Sequence, residues 1–539
     1  MQTQTEVIIV GAGPTGLMAG LLLKRAGIDV VILDRNSAPV QESRAGIVTA
    51  RSLELFASLG LDGALLARGT ITTNIDFIIN GERAAGFDYD RAKADDTAFP
   101  FMLMIPQSET EEVLLEALDA AGLRVRRSCE VTAVHQDATH VSVQLQHPTG
   151  NEEIQGRYLL GADGAHSVVR HQLALNFAGE RYPQRFLLGD VAVDWQRDPS
   201  RFQIFLQGDR IGLYLPLHGA SHARVMTTLA AQDALPDDAT PSLEQLSQAF
   251  SQVAGCDVTL RDPLWLAQFQ TQHRMVDHYR VERIFLAGDA AHIHSPAGGQ
   301  GMNTGLQDAA NLAWKLALVL KQEAPPSLLD TYQQERLPVA RDVLDFTDRL
   351  FSFAAGQQGW LATLRDHLVP LVAAPTAALD TVQQGAFRRF AQLDMTYEEN
   401  PLVSFDGGSR LQPGAGMRLP DAQLSRRMNL HGLLNASCFT LLALSRQPLS
   451  PAVFSDLQQT LSGLQSDRVQ VRIAARLNGG LPANAEAVER PDVFSRLGME
   501  EDNDQGLIVV RPDGYIAWRS DMLDYAGCGD FLASLGLAN

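Results

Sequence analysis

Cysteine is scarce in this sequence, and the few cysteines are scattered. Four occur among 539 residues, and no two of them form a C-x-x-C pair. A redox dithiol and a zinc knuckle both need closely spaced cysteines, so neither is indicated. We therefore expect reduced thiols at Cys129, Cys256, Cys438 and Cys528.

Basic residues are also in deficit, because 44 Lys and Arg stand against 63 Asp and Glu, for a net charge of -19. Such a chain repels phosphate backbones and anionic headgroups, so we expect no nucleic-acid and no membrane partner. No apolar run reaches membrane length, and the start MQTQTEVIIV lacks the basic residues of a signal peptide. These absences predict a soluble, cytoplasmic protein that acts on a small molecule.

Glycine, in contrast, is concentrated where a strand pattern gives way to a helix pattern. The sequence GAGPTG at 11–16 lies between a strand expected at 6–10 and a helix at 14–26, and a second strand follows at 29–33. Asp34 ends that strand, eighteen positions after Gly16. This G-x-G-x-x-G pattern with a distal acid indicates dinucleotide binding, because its glycines let a pyrophosphate approach a helix N-terminus.

A second glycine-rich stretch, FLAGDAAHIHSPAGGQGMNTGLQDAANLAWKL at 285–316, also follows an apolar strand pattern. Asp289 is positioned to hold a sugar or ribityl hydroxyl, and GGQGMN at 298–303 is positioned to open a helix towards a ring edge. The alternative, a small-residue helix entry inside a core, leaves Asp289, Pro296 and Gly301 without a purpose. We interpret the stretch as a second contact with the same cofactor.

The remaining patterns indicate several units. Residues from about 70 to 280 are rich in strand patterns, with expected strands at 75–80, 101–105, 185–195, 201–207, 210–217 and 223–229. Long helices are expected at 304–320 and 329–355, with further helical sequence to about 392. A Gly- and Pro-rich segment at 400–421 then precedes strands expected at 436–444, 469–475 and 507–518.

Three motifs taken together resemble a known family. VGAGPTGL at 10–17, GADGAHSVVR at 161–170 and AGDAAHIHSPAGGQGMN at 287–303 are similar, in order and spacing, to the fingerprints of the class A flavoprotein monooxygenases. That family includes p-hydroxybenzoate hydroxylase and phenol hydroxylase, and the resemblance covers about the first 390 residues. The tail LIVVRPDGYIAWRS at 507–520 resembles the C-terminal domain of the aromatic polyketide hydroxylases.

The resemblance implies an α/β fold. A Rossmann-like FAD-binding domain would be interleaved with a mostly antiparallel β-sheet substrate domain, followed by a thioredoxin-like α/β domain. The FAD-binding parts are expected at 1–70, 106–180 and 281–399, the substrate domain at 71–105 and 181–280, and the thioredoxin-like domain at 400–539. That last domain lacks redox cysteines, so we expect it to be structural or dimer-forming, and the oligomeric state stays open.

The resemblance also implies roles for individual residues. Catalytic positions are Arg44, near the flavin, and Pro296, whose carbonyl would lie beside it. Asp163 would link the FAD and NAD(P)H sites, with Arg170 supporting its loop. The expected cofactor-binding residues are Gly11, Gly13, Pro14, Thr15, Gly16, Asp34, Arg35, Arg44, Gln107, Asp163, Asp289, Pro296, Gly299, Gly301, Met302 and Asn303.

Two further sets of residues carry weaker signals. Tyr214 and His218 lie on a candidate substrate-facing strand, although either residue type is more often part of a core or rim. His292 and His294 have the H-x-H spacing of a metal pair, but no further ligand clusters with them, so we expect no metal.

The implied function is hydroxylation of an aromatic substrate, phenolic or polyketide-like, with non-covalent FAD, O2 and NAD(P)H, through a flavin C4a-hydroperoxide. Only one G-x-G-x-x-G follows a strand, so NAD(P)H is expected to bind transiently. A halogenase would carry W-x-W-x-I-P, which the sequence lacks. Baeyer-Villiger insertion, epoxidation, antibiotic inactivation and a non-catalytic FAD-binding protein remain alternatives.

Overall fold

The computed structural model describes residues 3–40, 45–89, 94–217, 221–229, 236, 239–294, 299–355, 380–398, 400–403, 412–477, 486–490, 492–499 and 504–537. Within these ranges, no helix combines the length and the apolar character needed to cross a membrane.

A six-stranded sheet, here called the parallel sheet, is built around the first motif. Its strands are buried apolar runs such as VIIV, as expected where helices cover both faces of a parallel sheet. All pairs are parallel except the outermost pair at the 280–286 edge. In spatial order the strands are Arg280–Val281, Ile284–Leu286, Tyr158–Gly161, Val7–Val10, Val30–Leu33 and Val125–Arg126. The helices that flank it are Pro14–Arg25, Gln107–Ala120 and Gly301–Leu320.

An eight-stranded sheet, here called the large sheet, lies beside the parallel sheet. All its pairs are antiparallel except the pair between Phe202–Gln207 and Asn74–Ile79. Helix Leu243–Ala254, which begins with a capping box, covers its outer face. The spatial order is His292–Ile293, Thr259–Val276, Phe177–Asp194, His222–Leu229, Arg210–Leu217, Phe202–Gln207, Asn74–Ile79 and Glu82–Asp88.

The C-terminal region forms a third body around a mixed five-stranded sheet. Its strands, in spatial order, are Glu486–Ala487, Val469–Leu477, Phe439–Leu449, Gln505–Val510 and Ile516–Ser520. Helices Pro451–Ser462, Asp492–Arg496 and Tyr525–Ser534 accompany it. This is the predicted α/β pattern, while the specific thioredoxin-like likeness stays a prediction.

The other elements are short sheets and connecting helices. The strands are Thr3–Gln4, Glu130–Gln136, Val141–His147 and Gly150–Gly156 in one sheet, Ile47–Val48, Thr70–Thr72 and Met102–Met104 in another, and the pair Gln423–Ser425 and Met428–Asn429. The helices are Ala50–Ser58, Asp62–Arg68, Val168–Gln172, Asp330–Ala355 and Asp380–Phe390, with 3-10 turns at Gly288–Ala290, Pro326–Leu329 and Leu430–Leu433.

The structure confirms the predicted α/β fold class with two interleaved sheets. Strand Met102–Met104, within the segment assigned to the substrate domain, pairs instead with Ile47–Val48 and Thr70–Thr72. The exact domain boundaries stay a prediction. Strand Thr259–Val276 was not predicted, because its sequence TLRDPLWLAQFQTQHRMV alternates poorly. Part of the predicted helical stretch, 356–379, lies outside the described residues.

Candidate active site

The three motifs meet at one edge of the parallel sheet. Strands Ile284–Leu286, Tyr158–Gly161 and Val7–Val10 are neighbours and run parallel, and one motif follows each of them. In open α/β sheets, ligands bind outside the carboxyl ends of the strands. The register alone therefore brings together residues more than 270 positions apart in the chain.

The first turn is shaped by backbone contacts that exclude side chains. A Cβ atom on Gly11, whose φ is +104°, would lie 2.2 Å from the Ala162 carbonyl oxygen. A Cβ atom on Gly16 would lie 2.0 Å from the Gly11 carbonyl oxygen. A Cβ atom on Gly13 would meet nothing within 4 Å. The turn thus packs tightly against the second motif and leaves an open cradle over Gly13, directly before a helix that starts at Pro14 without a side-chain cap.

The third motif packs against the first through Thr15. A Cβ atom on Gly288, with φ of +59°, would lie 2.6 Å from Thr15 Oγ1. A Cβ atom on Gly305 would lie 2.4 Å from the same oxygen. Asp289 follows Gly288 on a 3-10 turn and is exposed at this edge. The turn that carries Asp289 therefore lies against Thr15, in the first turn of helix Pro14–Arg25, and its cofactor contact stays a prediction.

Asp34 contacts the first turn, while its predicted contact with a ribose stays a prediction. Its carboxylate accepts the Ala12 N–H at 2.8 Å and the Asn36 N–H at 2.8 Å. Arg127, which the sequence analysis missed, lies with Nη1 at 3.5 Å from Asp34 Oδ1. Arg35 is exposed. The cation that neighbours Asp34 in the structure is therefore Arg127, contributed by the next strand of the sheet.

Gln107 begins its helix, and its amide contacts a second buried carboxyl group. Gln107 Nε2 donates to Glu111 Oε1 at 2.8 Å. Burial raises the pKa of Glu111 to about 7, and the nearby negative charge of Asp34 acts in the same direction. The i,i+4 spacing in QSETE is the signal that would have located Glu111 from the sequence.

Asp163 is engaged within its own loop. Its carboxylate accepts the Ser167 hydroxyl at 2.5 Å and the Val169 N–H at 3.1 Å, while burial raises its pKa. Arg170 donates to the Ala290 carbonyl at 2.9 Å, so it joins the second motif to the third. These contacts agree with the loop-supporting role expected for Arg170.

Asn303 is also a structural residue in this arrangement. Its Nδ2 donates to the carbonyl oxygens of Ile47 at 2.9 Å and Gly299 at 2.8 Å, and its Oδ1 accepts the Thr49 N–H at 3.0 Å. Gly299 has a φ of +63°. The Asn303 side chain thus fixes the entry to helix Gly301–Leu320.

His292 and His294 bond to each other and to the helix that follows the loop. His292 Nδ1 lies 2.8 Å from His294 Nε2, and His292 Nε2 lies 2.7 Å from Asp308 Oδ2. A search of the described ranges finds no group of three His, Cys, Asp or Glu side chains placed to hold a metal.

Tyr214 lies in a packed core cluster, which is the core position that its residue type more often takes, and a substrate contact for it stays a prediction. It pairs with Val225, on the outer face of the large sheet, and its ring packs 4.5 Å from that of Trp195 beneath the covering helix. Its hydroxyl donates to the Pro199 carbonyl, and burial raises its pKa to about 12. The outward position follows from strand alternation, which the sequence alone did not orient. His218, Arg44 and Pro296 lie outside the described residues.

The inner face of the large sheet, opposite Tyr214, carries a buried ion pair. On it Arg224 donates to both oxygens of Asp190 at 2.8 Å, and its Nη1 donates to the Ala45 carbonyl at 2.7 Å. Trp265 Nε1 adds a third bond to Asp190 at 3.0 Å. This buried group ties the large sheet to the segment that follows the first βαβ unit.

The residues at the sheet edge fit an FAD molecule. The open cradle over Gly13 and two uncapped helix N-termini suit a pyrophosphate and an electron-rich ring, and Asp34 suits a ribose. A dinucleotide cradle on a parallel sheet, in a chain that also carries a large antiparallel sheet, indicates a flavoenzyme. The substrate-holding role of the large sheet stays a prediction.

Known proteins show which family within this class the chain resembles. Residues 4–347 match the FAD binding domain family, and residues 412–534 match the aromatic-ring hydroxylase C-terminal family. The chain is 31% identical over 535 residues to pentachlorophenol 4-monooxygenase of Sphingobium chlorophenolicum, covering 96% of this chain and 94% of that protein. It is 36% identical over 373 residues to rifampicin monooxygenase of Streptomyces venezuelae, covering 67% and 74%. The solved structure of OxyS anhydrotetracycline hydroxylase from Streptomyces rimosus has a TM-score of 0.75 at 30% identity, with 99% of each chain covered. The chain therefore belongs to the FAD-dependent aromatic monooxygenases.

Proposed function

We propose that this monooxygenase hydroxylates a phenolic or polyketide-like aromatic substrate with NAD(P)H and O2. The observation that carries the proposal is the convergence of three motifs on one cradle at the carboxyl end of the parallel sheet. When bound, FAD supplies the electrons with which O2 is activated.

The cofactor contacts follow from the sheet edge. The N–H groups after Gly13 would hold the diphosphate, Asp34 the ribose, and Asp289 the ribityl or diphosphate region. The helix start at Gly301 and Met302 would face the ring. No His or Cys is assigned to covalent attachment, so the flavin is proposed to be non-covalent.

The inner face of the large sheet supplies an aromatic wall. The rings of Phe186 and Phe269 are stacked at 5.6 Å, and those of Phe77 and Phe87 meet edge to face at 5.7 Å. Leu213 lies between these pairs in the register. A wall of this kind favours a flat ring and excludes the water that would divert reduced oxygen to peroxide.

Two further properties complete the proposal. The cytoplasm is the proposed location, since it supplies NAD(P)H and keeps thiols reduced, and all four cysteines are free. A homodimer through the C-terminal body is the oligomeric state to test first, by light scattering.

The experiment is NAD(P)H oxidation by the purified yellow holoenzyme across phenols, naphthols, quinones and polycyclic polyketides. We expect substrate-dependent oxidation and a product heavier by one oxygen atom, carried as a ring hydroxyl. An ester or lactone product would favour Baeyer-Villiger insertion. Rifampicin is a further test compound because one relative is named rifampicin monooxygenase, and its oxygenation with loss of antibacterial activity would favour antibiotic inactivation. Oxidation of NAD(P)H that no aromatic compound accelerates would contradict the proposal.

A further inference from the structure

Three side chains, of Asp308, His292 and His294, form a hydrogen-bonded chain under the third motif, and the first two are fully buried. Asp308, on helix Gly301–Leu320, contacts His292 Nε2 at 2.7 Å, and neither side chain has exposed surface. His292 Nδ1 contacts His294 Nε2 at 2.8 Å. An aspartate is thus linked through one imidazole to a second imidazole.

The contacts of Asp308 determine which nitrogen donates and which accepts in each of these hydrogen bonds. Its carboxylate also accepts Arg336 Nε at 2.8 Å and the Gly288 N–H at 3.1 Å. Burial opposes its ionisation, but Arg336 and His292 outweigh burial and lower its pKa, so Asp308 is an anion that only accepts. His292 therefore donates from Nε2 and accepts at Nδ1, and His294 donates from Nε2. The acceptor left over is His294 Nδ1.

This last nitrogen is buried and has no hydrogen-bond partner among the described residues. Burial and the neighbouring His292 hold the pKa of His294 well below its usual value, so the ring is neutral near pH 7. A buried acceptor without a donor is costly, and in a native protein it calls for an explanation.

A second unpartnered imidazole nitrogen lies on the adjacent strand. Arg274 pairs with Ile293 and Met275 with His292. The pairing ends there, and continuing its register by one residue would set His273 opposite His294. His273 Nδ1 is also buried without a partner in the part of the chain that the structure describes. Residues opposite each other share a face, and this face is the inner face that carries Phe269.

Other charged and titratable groups surround the chain on each side. Tyr279 stacks on His292 at 5.9 Å, and Arg336 neutralises Asp308. Beyond His273, the Tyr182 ring lies at 5.5 Å, and exposed Glu180 is the opposite residue on the next strand. The negative charge nearest to the His292–His294 pair is therefore that of Asp308, which contacts His292.

We propose that His294 is the base that takes the proton of a substrate hydroxyl, with His292 and Asp308 as positioning residues behind it. This inference rests on the proposed function and supplies the base for a phenolic substrate. The substrate O–H bond breaks and an Nδ1–H bond forms on His294. The Nε2 proton of His294 passes to His292 Nδ1, so the positive charge comes to rest beside Asp308.

The transfer has a physical advantage and needs no oxidant. A lone imidazolium at this depth would carry a desolvation cost, which the shift of charge to the Asp308 contact offsets. The substrate becomes a phenolate, whose ring carbons are more electron-rich. When the product leaves, the proton returns along the same path to solvent.

The test compares His294→Gln with His278→Gln in the FAD-loaded enzyme. Gln keeps an N–H donor for His292 but cannot take a proton, and His278 is an exposed histidine beside Asp277. The first readout is the difference spectrum of bound para-nitrophenol against pH, without turnover. We expect wild type and His278→Gln to bind it as the phenolate below the pH at which the free compound ionises, and His294→Gln to bind it neutral.

The second readout is the pH profile of kcat with an accepted phenol. General bases contribute about 100-fold or more, so His294→Gln should lose about that factor near pH 7 and regain it as the pH rises. Added imidazole should partly restore His294→Ala, which a merely structural role would not allow. FAD content and thermal unfolding of each variant identify any that fails to fold.

The outcomes separate this proposal from the proposed function. One outcome is that wild type hydroxylates phenols while His294→Gln shows the same pH profile and binds the same phenolate. That result overturns the assignment of His294 as the base and leaves the proposed function standing. If wild type neither hydroxylates any phenol nor ionises bound para-nitrophenol, both are overturned.

Discussion

At the scale of single residues, the glycines of the first turn have opposite surroundings. Gly11 and Gly16 lie against backbone atoms, where a side chain would disrupt the fold. Gly13 is extended, with φ of -80° and ψ of -178°, and a Cβ atom there meets nothing within 4 Å. The space over Gly13 is therefore kept open for a ligand and is not required for folding.

Gly13→Val should fold normally and bind FAD weakly. Valine tolerates extended backbone, so we expect unfolding free energy within about 0.5 kcal/mol of wild type. Its methyl groups would occupy the cradle, and the dissociation constant for FAD should rise by about 100-fold, or about 3 kcal/mol. Flavin fluorescence titration of the apoprotein measures this. Gly63→Val, at an exposed glycine that also has open space, should bind FAD as wild type does.

Gly299 presents the opposite case, because both its backbone and its neighbours restrict it. Its φ is +63°, and a Cβ atom would lie 2.9 Å from Ile47 Cδ1. Gly299→Leu should cost about 1 to 2 kcal/mol from the left-handed backbone and should also displace Ile47, whose carbonyl holds Asn303. Gly60→Leu is the control, with φ of +69° and nothing within 4 Å. Equal loss of FAD affinity in both variants would contradict a cofactor role for the Gly299 turn.

At the scale of elements, loops from neighbouring strands are bound to one another before any ligand arrives. Arg170 donates to the Ala290 carbonyl at 2.9 Å and to the Ala165 carbonyl at 2.8 Å, and its guanidinium lies 3.9 Å from the centre of the Phe177 ring. One side chain thus connects the second motif, the third motif and the start of the large sheet.

Arg170→Met should separate the hydrogen bonds of Arg170 from its contact with the Phe177 ring. Methionine keeps an apolar contact with Phe177 but loses both hydrogen bonds, so the two loops are held less firmly. We expect the dissociation constant for FAD to rise by about tenfold, or about 1.4 kcal/mol, because binding must then order the loops. Isothermal titration gives the value. His171→Ala, at the exposed next residue, should leave it unchanged, and an equal effect of both variants would argue against the loop contact.

The same elements show how far the sequence predicts the site. The turn at 11–16 and Asp34 were predictable because glycine spacing and strand patterns are local signals. Arg127 and Arg224 were not, because each acquires its partner through sheet order or strand register, whereas Glu111 has a local signal in its i,i+4 spacing from Gln107. Tyr214 was assigned to the substrate because a strand pattern does not state which face is covered. That information resides in the helix Leu243–Ala254, which packs on the outer face.

At the scale of the whole molecule, the C-terminal body is docked by buried charge. Arg511 donates to Glu335 at 2.6 and 2.9 Å, and Lys315 donates to the same carboxylate at 2.7 Å. None of these side chains has exposed surface. Glu335 lies on helix Asp330–Ala355 and Arg511 on the C-terminal body, so the contact joins the flavin-binding unit to the last body of the chain.

Glu335→Gln should loosen this junction, because it leaves Arg511 and Lys315 buried with too little negative charge. Breaking one side of such a group costs about 3 to 5 kcal/mol. Asp330→Asn, on the same helix, removes an exposed pair with Arg280 and should cost less than about 1 kcal/mol. Urea unfolding followed by intrinsic fluorescence measures both. Trp314 packs 5.3 Å from Phe439 across the junction and reports on it.

The pH dependence of this variant has a definite sign. Burial opposes ionisation of Glu335, but Arg511 and Lys315 outweigh it and lower its pKa from 4.5 to about 2. A lowered carboxyl pKa stabilises the folded state fully above the ordinary pKa and loses that contribution as the pH falls towards the folded one. The gap in unfolding free energy between wild type and Glu335→Gln should therefore shrink as the pH falls from about 4.5 towards about 2. A gap that stays constant down to about pH 2 would show that Glu335 does not act through its charge, and the docking of the C-terminal body would then need another cause.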